Sequence, residues 1–176
     1  MNTTWRLLLA LVIAVAISAC KTTEPETEAV TEPEPAPVVE EATTTAAPDP
    51  RDYSDARNFD NSESLLSKRV IYFDFDKSEV RAEYRPIVAA HAAYVSAHRS
   101  ARVTLEGHAD ERGTREYNLG LGERRGNAIS GLLSAAGAMG GQLDTVSYGE
   151  ERPVCRVSDD SCWSKNRRVE IVYTAR

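Results

Sequence analysis

The chain has 176 residues, 41% of them hydrophobic and 27% charged, with a formal net charge of −6. That charge is uneven: residues 21–50 carry eight acids against one lysine, whereas residues 51–176 hold 19 basic and 19 acidic side chains. A carboxy-terminal part of zero formal charge excludes a nucleic-acid binder that works by bulk charge.

In chain order, Arg6 precedes an apolar run at residues 7–19. The run has 13 residues, and a membrane-spanning helix needs about 20. A positive start, a short apolar centre and small residues at the end predict an export signal. Ile17, Ser18, Ala19 and Cys20 resemble the lipobox of bacterial lipoproteins. That resemblance implies a signal peptide over residues 1–19, cleavage before Cys20, and acyl chains on Cys20. Each buried methylene contributes about 0.8 kcal/mol, so two or more chains hold a protein on a membrane without crossing it. The alternative is an ordinary cleaved signal with Cys20 lost or left free.

Residues 21–50 hold six of the eight prolines and no aromatic residue. Such a stretch buries too little apolar surface to offset its chain entropy, which predicts disorder. Residues 20–60 are therefore read as the lipidated cysteine and a tether. A flexible chain of that length spans roughly 35 Å r.m.s. and reaches about 130 Å when stretched.

Residues 61–176 read as one folded domain. Residues 70–75 (VIYFDF) are aromatic and β-branched and predict a strand. Val80, Tyr84, Ile87, Val88, His91, Tyr94 and Val95 recur at helical spacing, and Pro86 sits early in that helix. Residues 102–107 (RVTLEG) alternate as a half-buried strand does. Residues 114–136 predict a second helix with Leu121, Ala128, Ile129, Leu132 and Leu133 turned inward, ended by Gly137, Gly140 and Gly141. Residues 143–148 and 168–174 predict two further strands. The order β-α-β-α-β-β predicts an α/β (α+β) sandwich: a mixed four-stranded sheet with two helices packed on one face.

Cys155 and Cys162 lie seven apart in a polar segment without periodicity. In an oxidising compartment they can close a small loop; two free thiols are the alternative. Their spacing does not suit a metal knuckle and no histidine is near in sequence, so no metal site is expected.

The densest polar signal is residues 107–125, GHADERGTREYNLGLGERR, running from a strand end into a helix. Helix N-termini offer free N–H groups there. Asp110 and Arg125 carry opposite charges that can converge on a ligand bearing both an ammonium and a carboxylate. A plain Asp110–Arg125 salt bridge explains the pair equally well. Asn118 is either a ligand contact or a satisfier of loop backbone. Glu106, His108, Asp110 and Glu111 crowd one loop and suggest a hydrolase as a rival, although no second histidine has a matching spacing.

The longer run EGHADERGTREYNLGLGERRGNAI resembles the signature of OmpA-like peptidoglycan-binding domains. YFDFDKSEVR (72–81), VSYGEERP (146–153) and SKNRRVEIVY (164–173) fit the same family. The resemblance covers roughly residues 68–176. It implies a domain that binds the peptide stem of peptidoglycan and catalyses nothing, without cofactor. Its ligand would be meso-diaminopimelate, gripped by Asp110 and Arg125, with Asn118 and Leu121 beside the site. Phe73 and Asp74 match the first-strand end that lines the pocket, and Arg168 matches an arginine of the closing strand. The resemblance also implies TolB and other Tol proteins as partners, and an outer-membrane anchor with the folded domain in the periplasm. Lys21 fits that destination, since it stands where aspartate resembles an inner-membrane retention signal.

Overall fold

The computed structural model describes residues 46–176. The expected signal peptide, Cys20 and the tether as far as residue 45 lie outside the described residues. The chain divides between Thr43 and Thr44, and all described residues belong to the second unit, Thr44–Arg176.

One sheet contains β1 (Val70–Tyr72), β2 (Arg102–His108), β3 (Leu143–Gly149) and β4 (Arg168–Ala175), in the order β1-β4-β2-β3. β4 runs antiparallel to both β1 and β2, while β2 and β3 are parallel. The parallel pair is joined through α2 (Arg115–Ala135), the crossover that parallel neighbours require. α1 (Arg85–Ala97) links β1 to β2. The mixed sheet and two main helices match the sequence expectation. The predicted helix start at Val80 does not hold: a 3-10 turn, Ala82–Tyr84, precedes α1, and Pro86 occupies its first turn, where no N–H is needed.

A third helix, α3 (Asp160–Asn166), was not predicted. It is seven residues long and has no apolar stripe to read. Asp159 caps it by accepting from the Cys162 N–H at 2.9 Å, and the Cys155–Cys162 disulfide closes the loop beneath it.

The core joins both long helices to one face of the sheet. Val88, Tyr94 and Val95 of α1 and Ile129 and Leu133 of α2 meet Val103 and Leu105 of β2 and Val169 and Ile171 of β4. The strand residues alternate, as a two-residue period requires. Leu132, expected inward, is 37% exposed on the flank of that stripe.

The folded part begins before residue 61, contrary to the expected boundary. A 3-10 turn at Ala56–Phe59 docks on the core, and Phe59 is buried. Its ring meets Tyr94 and Tyr173 edge-on, with centroids 4.7 and 4.6 Å apart. The Asn58 amide donates to the carbonyls of Asp49 and Asp52 at 2.6 and 2.8 Å. Burying one phenylalanine contributes about 2–3 kcal/mol, a contribution that average composition conceals.

Helix α2 lies directly on β2. A Cβ on Gly107 would collide with the Gly122 carbonyl, so two glycines permit the approach. That contact carries Leu121 and Arg125, one turn apart on α2, to the end of β2.

Candidate functional site

Three segments surround a cavity of about 220 Å³: the chain after β1, the β2–α2 loop and the first turns of α2. Its walls include Phe75, Asp76, Asp110, Arg112, Gly113, Tyr117, Asn118, Leu121 and Arg125. Thr114 caps α2 by accepting from the Tyr117 N–H at 3.2 Å, which fixes where the loop becomes helix.

Arg125 is fully buried, and its guanidinium donates to three carbonyls: Nε to Lys77 at 2.8 Å, Nη1 to His108 at 2.7 Å and Nη2 to Asp74 at 3.1 Å. A guanidinium has five N–H groups, so one remains on each terminal nitrogen. Its carbon lies 5.3 Å from the Phe73 ring centroid. Burial lowers its pKa to about 10, opposed by the Asp110 charge, and it stays protonated at neutral pH.

Asp110 is also buried, but it does not pair with Arg125. Its Oδ1 accepts from the Arg112 backbone N–H and Nε, both at 3.1 Å. Its Oδ2 accepts from Arg112 Nη2 at 2.8 Å and Arg167 Nη1 at 3.3 Å. A carboxylate offers about four acceptor positions, and all are engaged. Burial would raise the Asp110 pKa, but the bonds from Arg112 and Arg167 outweigh it and hold the carboxyl below its usual value. The plain Asp110–Arg125 bridge is thus replaced by an Asp110–Arg112–Arg167 cluster.

Asn118 serves the loop backbone. Its amide donates to the Asp110 carbonyl at 3.1 Å and the Arg112 carbonyl at 3.3 Å. Leu121 is buried beside the cavity.

Phe73, Asp74 and Arg168 are not among the cavity walls. β1 ends at Tyr72, so Phe73 and Asp74 lie just beyond the strand. Phe73 is core beneath Arg125, and the Asp74 carboxylate faces Lys77 and Arg81, each at 3.9 Å. Phe75 and Asp76 stand at the cavity instead. Asp76 adopts φ 57°, a left-handed conformation that aspartate tolerates, and it accepts a hydrogen bond from the Tyr117 hydroxyl. Arg168 Nε bonds Glu170 at 2.6 Å. Its neighbour Arg167 reaches Asp110, because successive residues project to opposite sides of an extended chain.

Sequence reading missed Arg112, Arg167, Phe75, Asp76 and Tyr117. Arg112 had a usable signal: an aspartate two residues before it favours an Asx turn, the bond seen from the Arg112 N–H to Oδ1. Asp76 and Tyr117 are 41 residues apart, and nothing local predicts their contact. Trp163 donates its indole N–H to Glu111 at 3.0 Å and stacks on Arg112 at 4.1 Å. His108 does not line the cavity; it is buried near Tyr148 and Glu170. Burial, first, and then the Arg168 charge push its pKa down to about 4.

The OmpA family profile matches residues 72–168. Over 103 residues the chain is 50% identical to the "Peptidoglycan-associated lipoprotein" of Haemophilus influenzae, covering 58% of this chain and 67% of that one. The protein of the same name from Pasteurella multocida is 48% identical, with 58% and 69% covered. The crystal structure of the peptidoglycan-associated lipoprotein from Burkholderia pseudomallei superposes with a TM-score of 0.64 at 40% identity, covering 65% of this chain and 98% of that one.

Proposed function

We propose, from the premise that this chain belongs to the OmpA family, that it binds peptidoglycan without covalent bonds and catalyses no reaction. Lipidated at Cys20 in the outer membrane, it anchors that membrane to the cell wall. It acts within the Tol–Pal system, with TolB as a partner, and supports envelope integrity and cell division.

The observation that carries this reading is the cavity's charge pattern. Two carboxylates, Asp76 and Asp110, and two guanidiniums, Arg112 and Arg125, face one small space. Such a wall is neutral overall but strongly dipolar, which suits a zwitterion better than a simple anion or cation. The amino-acid end of meso-diaminopimelate in the peptide stem has that form. Arg125 offers its remaining N–H groups to the carboxylate. Asp110 takes the ammonium, which displaces one of its present donors. Asn118 keeps the loop in register, and Leu121 packs against the methylene chain.

Sedimentation with purified cell-wall sacculi tests this reading on Thr44–Arg176, the unit that contains the core. The wild-type unit is expected to pellet with the wall and release no soluble fragments. Asp110→Asn and Arg125→Lys are expected to stay largely in the supernatant, as is wild type offered walls whose diaminopimelate carboxyl is amidated. Unchanged pelleting of both variants overturns the site, and released fragments overturn the non-enzymatic reading. Co-purification with TolB tests the partner, and membrane release of Cys20→Ser tests the anchor.

A further inference from the structure

The Arg112 guanidinium is a planar cation with both faces and one edge occupied. Its carbon lies 4.1 Å from the Phe75 ring on one side and 4.1 Å from the Trp163 ring on the other. Its edge holds Asp110. One side chain therefore ties together the segment after β1, the β2–α2 loop and α3. Phe75 is 56% exposed, so the more enclosed of the two rings on Arg112 is Trp163, from α3.

A helix as short as α3 is not stable on its own. Its base is pinned by covalent and polar contacts. Cys162 is fully buried and bonded to Cys155. Asn166, at the other end, accepts from the N–H groups of Val154 and Cys155 at 2.9 and 3.1 Å and donates to the Cys155 carbonyl at 2.7 Å. Trp163 stands between these pins. Arg167, just beyond α3, gives Asp110 its remaining hydrogen bond.

We propose that Trp163 is a positioning residue for the binding cavity, and that the Cys155–Cys162 disulfide sets how firmly it holds Arg112 and, through it, Asp110. The inference rests on the peptidoglycan reading above. When the indole holds Arg112, the β2–α2 loop is ordered before the ligand arrives. Without it, the loop orders at the moment of binding and affinity falls. Reduction by a dithiol reaches the same result: two electrons and two protons pass to the bridge, giving two thiols, and the dithiol closes into its own disulfide. Wall affinity then follows the thiol status of the compartment.

Trp163 is the only tryptophan in Thr44–Arg176, so its fluorescence reports this position alone. The probe is a soluble stem tripeptide ending in meso-diaminopimelate. Trp163→Ala is expected to weaken binding about tenfold, and Trp163→Phe, which still stacks, by no more than about threefold. Cys155→Ser/Cys162→Ser and dithiothreitol-treated wild type are expected to weaken it about threefold, with Trp163 more open to acrylamide quenching. The oxidised wild type is expected to change its emission when the tripeptide binds. Arg125→Lys separates the two claims. Loss of binding in Arg125→Lys with wild-type affinity in Trp163→Ala and in the reduced protein overturns this inference alone. Full binding by Arg125→Lys overturns the underlying reading. If Trp163→Ala melts the fold, the dithiothreitol comparison decides.

Discussion

Two buried polar clusters lie at different places in this fold and serve different ends. In the first, His91 is fully buried with Nε2 3.0 Å from the Lys68 carbonyl and Nδ1 2.9 Å from the Tyr173 hydroxyl. A carbonyl can only accept, so Nε2 carries the proton and Nδ1 accepts from tyrosine. The cluster is neutral, each imidazole nitrogen has a partner, and Phe59 seals it. In the second, Asp110, Arg112, Arg125 and Arg167 are charged, and Arg125 keeps unused N–H groups beside a cavity. A satisfied buried group stabilises a fold, whereas one with spare hydrogen-bonding capacity facing a cavity is equipped for a ligand.

Four measurements test this contrast. The largest effect is expected from Arg125→Ala, which leaves three buried carbonyls without their donor. It should cost about 3–5 kcal/mol in denaturant unfolding, so a loss of binding in that variant reports the fold as well as the site. An unfolding midpoint equal to wild type would show that Arg125 is not structural. Next is pH. Burial pushes the His91 pKa down to about 4 from 6.5, so the unfolded chain binds more protons than the folded one between those values. Stability is therefore complete above about pH 6.5 and falls as pH drops toward 4, by roughly 3 kcal/mol for His91 alone. His108 shifts in the same direction and adds to the slope. Thermal melts of His91→Gln should show a shallower acid decline, and an unchanged slope would place the titration elsewhere.

Asn118→Ala should cost about 2 kcal/mol by freeing the buried carbonyl of Asp110 from its donor. It should weaken wall binding more than its modest destabilisation explains, while leaving the His91 cluster intact by NMR. The smallest effect, about 1 kcal/mol, is expected from Thr114→Ala at the α2 cap. Amide exchange should quicken in the first turn of α2 and not in α1; equal acceleration in both would show that the two regions are coupled.

The parts of the fold visible in the sequence are those with strong local periodicity. Val103 and Leu105 alternate with polar neighbours, and Leu121, Ile129 and Leu133 recur on the buried side of α2. α3 and the docking of Phe59 were not visible, because each depends on a few anchoring atoms rather than on a repeated pattern. At the site, Asp110, Asn118, Leu121 and Arg125 lie within one motif spanning a strand end and a helix, and the structure places all four around one cavity. The family resemblance pointed to Phe73, Asp74 and Arg168, whereas Phe75 and Asp76 line this cavity and Arg167 is the arginine that reaches Asp110.

Residue order alone was enough to set out the four strands, the two long helices, the run that forms the cavity's main wall, and the Asp110 and Arg125 charges within it. Those properties arise from neighbours within a few turns of chain, where spacing decides which side chains share a face. The pairing of those charges came mainly from the folded arrangement. It gave Asp110 to Arg112 and Arg167, committed Arg125 to three carbonyls, and set Trp163 against Arg112. Most of that pairing depends on ångström-scale approach between segments far apart in the chain, and residue spacing carries no record of that distance.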